Sequence, residues 1–305
     1  MEDFLRELVE ELQRCLDGTG DKYFIDLHDT CKNNDTMLRS IVIRTSEQQI
    51  SKNIYAEPYF DMNKRGTSVE EIAQIIISMN SDKSMEQHLK ENLIDLSDYD
   101  AVKGRLILRL VSKELNNNFL KDKLYVEVPD TDLVAVFYVL VEISEIGISS
   151  AAVSKDYTGL WGIKEIDELY KVALENTQKV CPASFKSMGS FLMSNMEDVD
   201  QEMIDSVDRT LHILTNNTSI NGAISILYKN VLKDFADAHE VDELVILPSS
   251  RHEVLLLPQR GECDYKYCES MVQEINEAVV GRMDVLSNHI YIYDAVTDSI
   301  SMWTE

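Results

Sequence analysis

The chain has 305 residues, of which 44% are hydrophobic, so it is long enough to bury one large core or two ordinary ones. It carries 54 acidic and 29 basic side chains, a formal net charge of −25. Such a surface repels the phosphates of nucleic acids and of anionic lipid heads. We therefore expect neither nucleic acid nor a membrane surface as a partner.

The N-terminus and the cysteines predict a cytoplasmic protein. The first residues, MEDFLRELVEELQRCL, are acidic and amphipathic, whereas a secretory signal has a basic start and an apolar core. The most apolar stretch, residues 133–143, contains Glu142 and is too short to cross a bilayer. The five cysteines are scattered and odd in number, unlike a secreted disulfide framework, so we expect free thiols.

The first 120 residues read as mixed helix and strand. Helical periodicity and capping residues predict four helices: residues 3–16, a helix from Thr67, a short one from Ser84, and residues 99–115. Runs of strand-forming residues at 23–27 and 37–44 flank turn formers and predict a hairpin, and residues 54–59 form a weaker extended piece.

Beyond residue 120 the pattern is richer in strands. Three antiparallel strands are predicted at 124–128, 133–143 and 148–154, then helices at 164–176 and 185–193 and a solvated acidic segment at 196–208. Two helices at 231–239 and 265–279 separate three predicted hairpins, 211–215 with 223–228, 244–247 with 253–257, and 290–293 with 300–303. The C-terminal order is then ββαββαββ.

These patterns predict an α+β fold with a largely antiparallel sheet and helices packed on one of its faces. We expect an N-terminal α+β part over residues 1–120 and a C-terminal α+β part over residues 121–305. A single merged domain is the alternative, because the polar stretch at 116–123 is only a weak boundary.

Three short segments resemble motifs of a known family. They are LWGI at 160–163, ALENT at 173–177 and LPSSRHEV at 247–254, the last being the most specific. They are similar to a bacterial family of unknown function, the one numbered 5688, known mainly from anaerobic gut bacteria. The resemblance extends over about residues 50–294 and implies a soluble bacterial protein. It carries over no activity, cofactor or catalytic residue.

The LPSSRHEV segment also holds the most suggestive chemistry. Ser249, Ser250, His252 and Glu253 lie in the turn of the second predicted hairpin and supply a hydroxyl, a base and an acid. Adjacent residues of a strand point to opposite faces, so His252 and Glu253 would face apart, and no Gly-x-Ser-x-Gly elbow is present. The turn can therefore be an ordinary one, a ligand-binding site or, less favoured, a nucleophilic site.

We accordingly favour a binding or interaction protein without catalysis of its own, with an unidentified protein or small molecule as partner. As a binding site, the turn should converge with Asn216 or Asn221 of the preceding hairpin. The alternatives are a metal-independent hydrolase that uses the 249–253 turn, and an acidic mimic that occupies a basic partner.

We expect no metal and no cofactor. Cys263 and Cys268 have the wrong spacing for a zinc knuckle and no second cysteine pair accompanies them. The acids at 198–202 imitate a calcium loop, but Met203 occupies the position that requires glycine. Phosphate-loop and dinucleotide-binding signatures are absent from the sequence.

The charge yields a first testable prediction. We expect no specific affinity for duplex DNA or RNA at physiological salt, because the net charge of −25 opposes the approach of phosphates. Fluorescence anisotropy of a labelled duplex, titrated with the protein, measures this. Sub-micromolar binding at that ionic strength would contradict it.

Overall fold

The computed structural model describes residues 1–17, 22–45, 53–80, 95–144, 147–189 and 210–305. The predicted α+β class is confirmed, and the strand pairs of the described residues are antiparallel. The predicted helix from Ser84 and the acidic segment 196–208 lie outside these residues. The chain forms two compact units, residues 1–32 with 36–93 and residues 33–35 with 94–305, whereas the boundary predicted from the sequence lies near residue 120.

The described residues of the first unit combine a small sheet with three helices. Its elements are α1 (Glu2–Asp17), β1 (Tyr23–Lys32), β2 (Thr36–Thr45), β3 (Asn53–Tyr55), α2 (Glu57–Lys64) and α3 (Val69–Asn80). The apolar stripe of α1 packs with α3 and β2 because leucines recur at helical spacing, for example Leu5, Leu8 and Leu12. The predicted first helix, the hairpin and the helix after Thr67 are confirmed.

The predicted extended piece at 54–59 is wrong in its second half. Strand β3 ends at Tyr55, and α2 begins at Glu57 with Pro58 in its first turn. Proline suits that position, because the first helical N–H groups have no partner within the helix.

The second unit begins with a four-stranded sheet. A single helical turn, α4 (Tyr99–Val102), leads into β4 (Leu106–Ser112), β5 (Tyr125–Glu127), β6 (Leu133–Ser144) and β7 (Gly147–Ala152). The long strand β6 pairs with each of the other three, and the three predicted strands beyond residue 120 are confirmed. The predicted helix at 99–115 is wrong beyond its first turn, because the apolar run from Leu106 pairs with β6 as a strand whose side chains are nearly all buried.

Two further helices and a strand follow. They are α5 (Tyr157–Leu160), α6 (Ile166–Val180) and β8 (Ala183–Ser187). The helix predicted at 164–176 is confirmed as α6. The helix predicted at 185–193 is wrong at its start, because Phe185 to Ser187 pair with the next strand; residues 188–189 are helical, and the remainder lies outside the described residues.

Strand β8 and the strands of residues 210–305 form a six-stranded sheet. After β9 (His212–Asn216) come a 3₁₀ segment (Gly222–Leu227), α7 (Val231–His239), β10 (Glu243–Pro248), β11 (Val254–Pro258), α8 (Tyr265–Ala278), β12 (Tyr291–Asp294) and β13 (Ser299–Met302). The strand order is β13-β12-β10-β11-β9-β8. The second and third predicted hairpins are confirmed. The first is wrong: β9 pairs with β8 and β11, which leaves no sheet edge for residues 223–228.

Strand β10 shows how the sheet sits between two cores. Leu244 and Ile246 point into the main core, which also contains the side chains of the four-stranded sheet, α6 and α7. Val245 and Leu247 point the other way, against α8, because successive residues of a strand alternate in direction. On α8 the predicted apolar stripe is only partly buried: Val279 is 79% exposed.

No helix in the described ranges has the length and apolar character needed to span a bilayer. The five cysteines are free thiols, as predicted, and the Sγ atoms of Cys263 and Cys268 lie 4.0 Å apart.

A buried carboxylate joins the two sheets of the second unit. Asp132 lies in the turn before β6 and accepts hydrogen bonds from the hydroxyls of Tyr291 (2.6 Å), Ser287 (3.0 Å) and Ser112 (3.1 Å). Burial, with the adjacent carboxylate, raises the pKa of Tyr291 well above its ordinary value, so this phenol remains a donor. Asp132 forms no ion pair with a cationic side chain among the described residues, so the three hydroxyls supply its stabilisation.

We expect Tyr291→Phe to lower the free energy of unfolding by about 1–3 kcal/mol, because it removes the shortest hydrogen bond to a buried carboxylate. Tyr267→Phe is the matched control, since Tyr267 is 66% exposed, and should change it by less than about 0.5 kcal/mol. Urea denaturation of both variants checks this. Equal stabilities would contradict the role given to Asp132.

Candidate functional site

The turn between β10 and β11 is internally bonded. The Ser250 hydroxyl donates to Glu253 Oε1 (2.9 Å) and accepts from the His252 amide (3.0 Å). The Ser249 hydroxyl also lies toward Glu253 Oε1, at 3.4 Å, and the Ser250 amide donates to the Glu253 carbonyl (3.1 Å). Both predicted hydroxyls are therefore directed to Glu253 and not to the imidazole.

His252 uses both ring nitrogens in contacts outside its own turn. The backbone N–H of Asn221 donates to His252 Nδ1 (3.2 Å). Nδ1 therefore carries no proton, and its lone pair is occupied. Nε2 then carries the proton and donates to Asp284 Oδ1 (3.2 Å). The imidazole is thus held in one tautomer between two neighbouring loops, with no free lone pair to accept a proton from a serine.

Arg251 and Asp284, which the sequence analysis did not single out, form the centre of the cluster. The Arg251 amide donates to the Asp284 carbonyl (2.7 Å), and its Nε donates to Asp284 Oδ1 (2.8 Å). Burial alone would raise the pKa of Asp284, but the hydrogen bond and charge of Arg251, followed by those of His252, outweigh it and hold that pKa below its ordinary value. Asp284 therefore stays ionised and serves both neighbours.

The two predicted asparagines lie in different environments. Asn221 contacts the turn in two ways. Its backbone N–H donates to His252, and its side-chain Oδ1 lies 3.5 Å from a terminal nitrogen of Arg251. Asn216 is buried and bonds its own loop: Nδ2 donates to the Ile220 carbonyl (2.9 Å), and Oδ1 accepts from Thr218. Of the two, the structure brings Asn221 to His252 and Arg251.

Arg109, on β4, is a second arginine of this region. It donates to the Ser150 hydroxyl (2.6 Å), and its guanidinium carbon lies 4.3 Å from the ring centre of Tyr138. Burial lowers the pKa of Arg109, and the nearby charge of Arg251 acts in the same direction. Among the described residues, Arg109 has no carboxylate partner.

A narrow crevice of about 10 Å³ lies beside Arg109, and its lining includes Asn216, Asn221 and Cys181. That volume admits about one water molecule or one ligand oxygen. Sequence reasoning could not associate Arg109 with the turn, because the two are far apart in the chain and meet only through the fold.

Within the described ranges, no three His, Cys, Asp or Glu side chains are grouped as metal ligands would be.

Gly222 packs against the turn so closely that any side chain is excluded. A Cβ at this position would lie 2.3 Å from Thr215 Oγ1, 2.5 Å from the His252 carbonyl oxygen and 2.7 Å from the backbone nitrogen of Asn216. The same Thr215 hydroxyl donates to the His252 carbonyl (2.7 Å), so this close approach positions the histidine.

We expect Gly222→Ala to lower the free energy of unfolding by about 3 kcal/mol, because two of the three clashing atoms belong to the backbone. Gly104→Ala is the matched control: its Cβ would meet nothing within 4 Å, and the loss should stay below about 0.5 kcal/mol. Thermal and urea unfolding of the two variants measure the difference. A Gly222→Ala variant as stable as the control would refute this packing.

Comparison with known proteins gives a family. The model of the family described as "Family of unknown function (DUF5688)" matches residues 1–295, and so extends further toward the N-terminus than the resemblance seen in the motifs. Neither a curated protein nor a solved structure matches the chain. Because the match covers nearly all of the sequence, this chain belongs to the DUF5688 family.

Proposed function

We propose that this protein is a cytoplasmic, non-catalytic binding protein that holds a small anion between Arg109 and Arg251. The observation that supports it most is the pairing of the two guanidinium groups: Arg251 is paired with the carboxylate of Asp284, whereas Arg109, which lies within reach of the charge of Arg251, has no carboxylate partner in the described part of the chain. A partly buried cation without a counterion is unfavourable, so an anion that enters would be bound by more than ordinary surface attraction.

The surrounding groups suit a carboxylate or phosphate oxygen. Arg251 remains 29% exposed in its side chain and so is reachable from solvent, whereas Arg109 lies deeper, beside the small crevice. Arginine offers five N–H donors, and the bonds described above leave several of them available on both residues. Asn221 also lines this crevice.

The hydrogen-bond pattern favours binding over the alternative of a hydrolase. A serine nucleophile needs a base with a free lone pair. His252 Nδ1, however, accepts from the backbone N–H of Asn221, and the serines donate to Glu253. The turn residues Ser249, Ser250, His252 and Glu253 then serve to position Arg251. The acidic-mimic alternative has no specific contact in its favour.

We expect inorganic phosphate to raise the melting temperature of the parent protein in buffer otherwise free of polyvalent anions, since a ligand stabilises the state that binds it. Arg109→Gln should abolish this response. It should also cost little stability without phosphate, because it removes an uncompensated buried charge. Arg6→Gln, at an exposed position in α1, is the control and should respond as the parent does.

Differential scanning fluorimetry with a phosphate titration, followed by calorimetry, measures both effects. A parent protein that phosphate does not stabilise, or an Arg109→Gln variant that responds equally, would overturn the anion site. Hydrolysis of p-nitrophenyl acetate that is lost in Ser250→Ala would overturn the non-catalytic assignment and support the hydrolase.

A further inference from the structure

A second and larger cavity lies in the same unit, apart from the residues of the arginine cluster. It has a volume of about 350 Å³ and opens between the β5–β6 turn, the start of α7 and the β12–β13 hairpin. This volume is at the lower end of the range for small-molecule sites, so any ligand must be small.

The floor of this cavity is aliphatic. Val128 and Leu232 are buried members of the main core, Ile226 is buried beside them, and Ile300 packs against the same core. A saturated hydrocarbon group placed here would leave water and gain favourable contact, without leaving any buried polar group unpaired.

The rim is polar and carries both signs of charge. Lys229, Asp130 and Asn230 line the cavity, and none of their side chains makes a hydrogen bond or an ion pair within the described residues. Two other rim groups are already occupied: Asp298 accepts from the Tyr293 hydroxyl (2.7 Å), and Lys233 donates to the Ala295 carbonyl (2.8 Å). A free cation, a free carboxylate and a free amide therefore surround an apolar floor.

The backbone places these rim groups in defined positions. Asp130 and Asn230 both have positive φ, 56° and 66°, values that Asp and Asn tolerate better than other side chains do. The Asp130 carbonyl accepts from the Met302 amide (2.7 Å), which ties the β5–β6 turn to β13. Asn230 precedes α7 without capping it, so the first N–H groups of the helix add a weak preference for negative charge beside Lys229.

From this geometry we infer that the cavity binds a free α-amino acid with an aliphatic side chain. Lys229 and the start of α7 receive the carboxylate, Asp130 receives the ammonium group, and the side chain lies on the floor. The mixed rim selects a zwitterion: a simple anion would meet Asp130 and Asp298, and a simple cation would meet Lys229 and Lys233. This proposal does not depend on the arginine cluster.

The test is isothermal titration calorimetry with three probes: L-leucine, 4-methylpentanoate, which lacks the ammonium group, and isopentylamine, which lacks the carboxylate. We expect the parent protein to bind L-leucine at least tenfold more tightly than either of the other two. Lys229→Gln and Asp130→Asn should each weaken leucine binding at least tenfold, and asparagine preserves the positive φ at residue 130.

The controls separate this site from the anion site. Lys179→Gln, at an exposed position on α6, and Arg109→Gln should both bind L-leucine as the parent does. Failure of the parent to bind L-leucine, equal binding of the amine or the acid, or undiminished binding by Asp130→Asn would each overturn the inference. None of these results bears on phosphate binding by Arg109, so the two proposals fail independently.

Discussion

The buried carboxylate of Asp132 is the constraint on which the second unit depends. A carboxyl group inside a core is tolerated only when its oxygens are hydrogen bonded, and three hydroxyls from different parts of the chain meet that need. One of them, on Ser287, belongs to the loop that carries Asp284 three residues earlier. Asp132 thereby fixes the loop whose carboxylate holds Arg251 and His252.

The arginine cluster depends on this arrangement because its members come from four separate segments. Arg109 lies on β4, Asn221 precedes a 3₁₀ segment, Arg251 lies in a hairpin turn and Asp284 in the loop before β12. Each is held by backbone hydrogen bonds or close packing, as Gly222 shows. The proposed anion site depends on the Arg109 guanidinium, which has no carboxylate partner among the described residues although the chain has a net charge of −25.

Apart from Arg109, which lies within β4, the residues of both candidate sites lie where strands and helices end. Turns at these ends can project side chains that are free of the sheet's own pairing, while the sheets keep the turns rigid. Positive φ at Asn221 in the cluster, and at Asp130 and Asn230 in the rim of the larger cavity, shows the same use of Asp and Asn to shape tight turns. The aliphatic floor of the cavity is part of the main core, so its shape is as fixed as the fold.

Local patterns were enough for elements whose side chains follow one period. Helix α1 has leucines at helical spacing, and the β10–β11 hairpin has a proline-serine turn between two apolar runs, so both could be predicted from the sequence. The chain's charge and its family were readable in the same way. Local patterns also located the LPSSRHEV turn, because an unusual set of polar residues is visible in one short segment.

The tertiary structure alone decided elements and contacts that depend on distant partners. Residues 106–112 became a strand, and residues 222–227 did not, because neighbouring strands determine which edges are available for pairing. In the site, the sequence suggested a Ser–His–Glu group, whereas the fold directs His252 to Asn221 and Asp284 and brings Arg109 toward Arg251. Charges and hydrogen bonds act through space and not along the chain, so the partners of these side chains are determined only once the fold has formed.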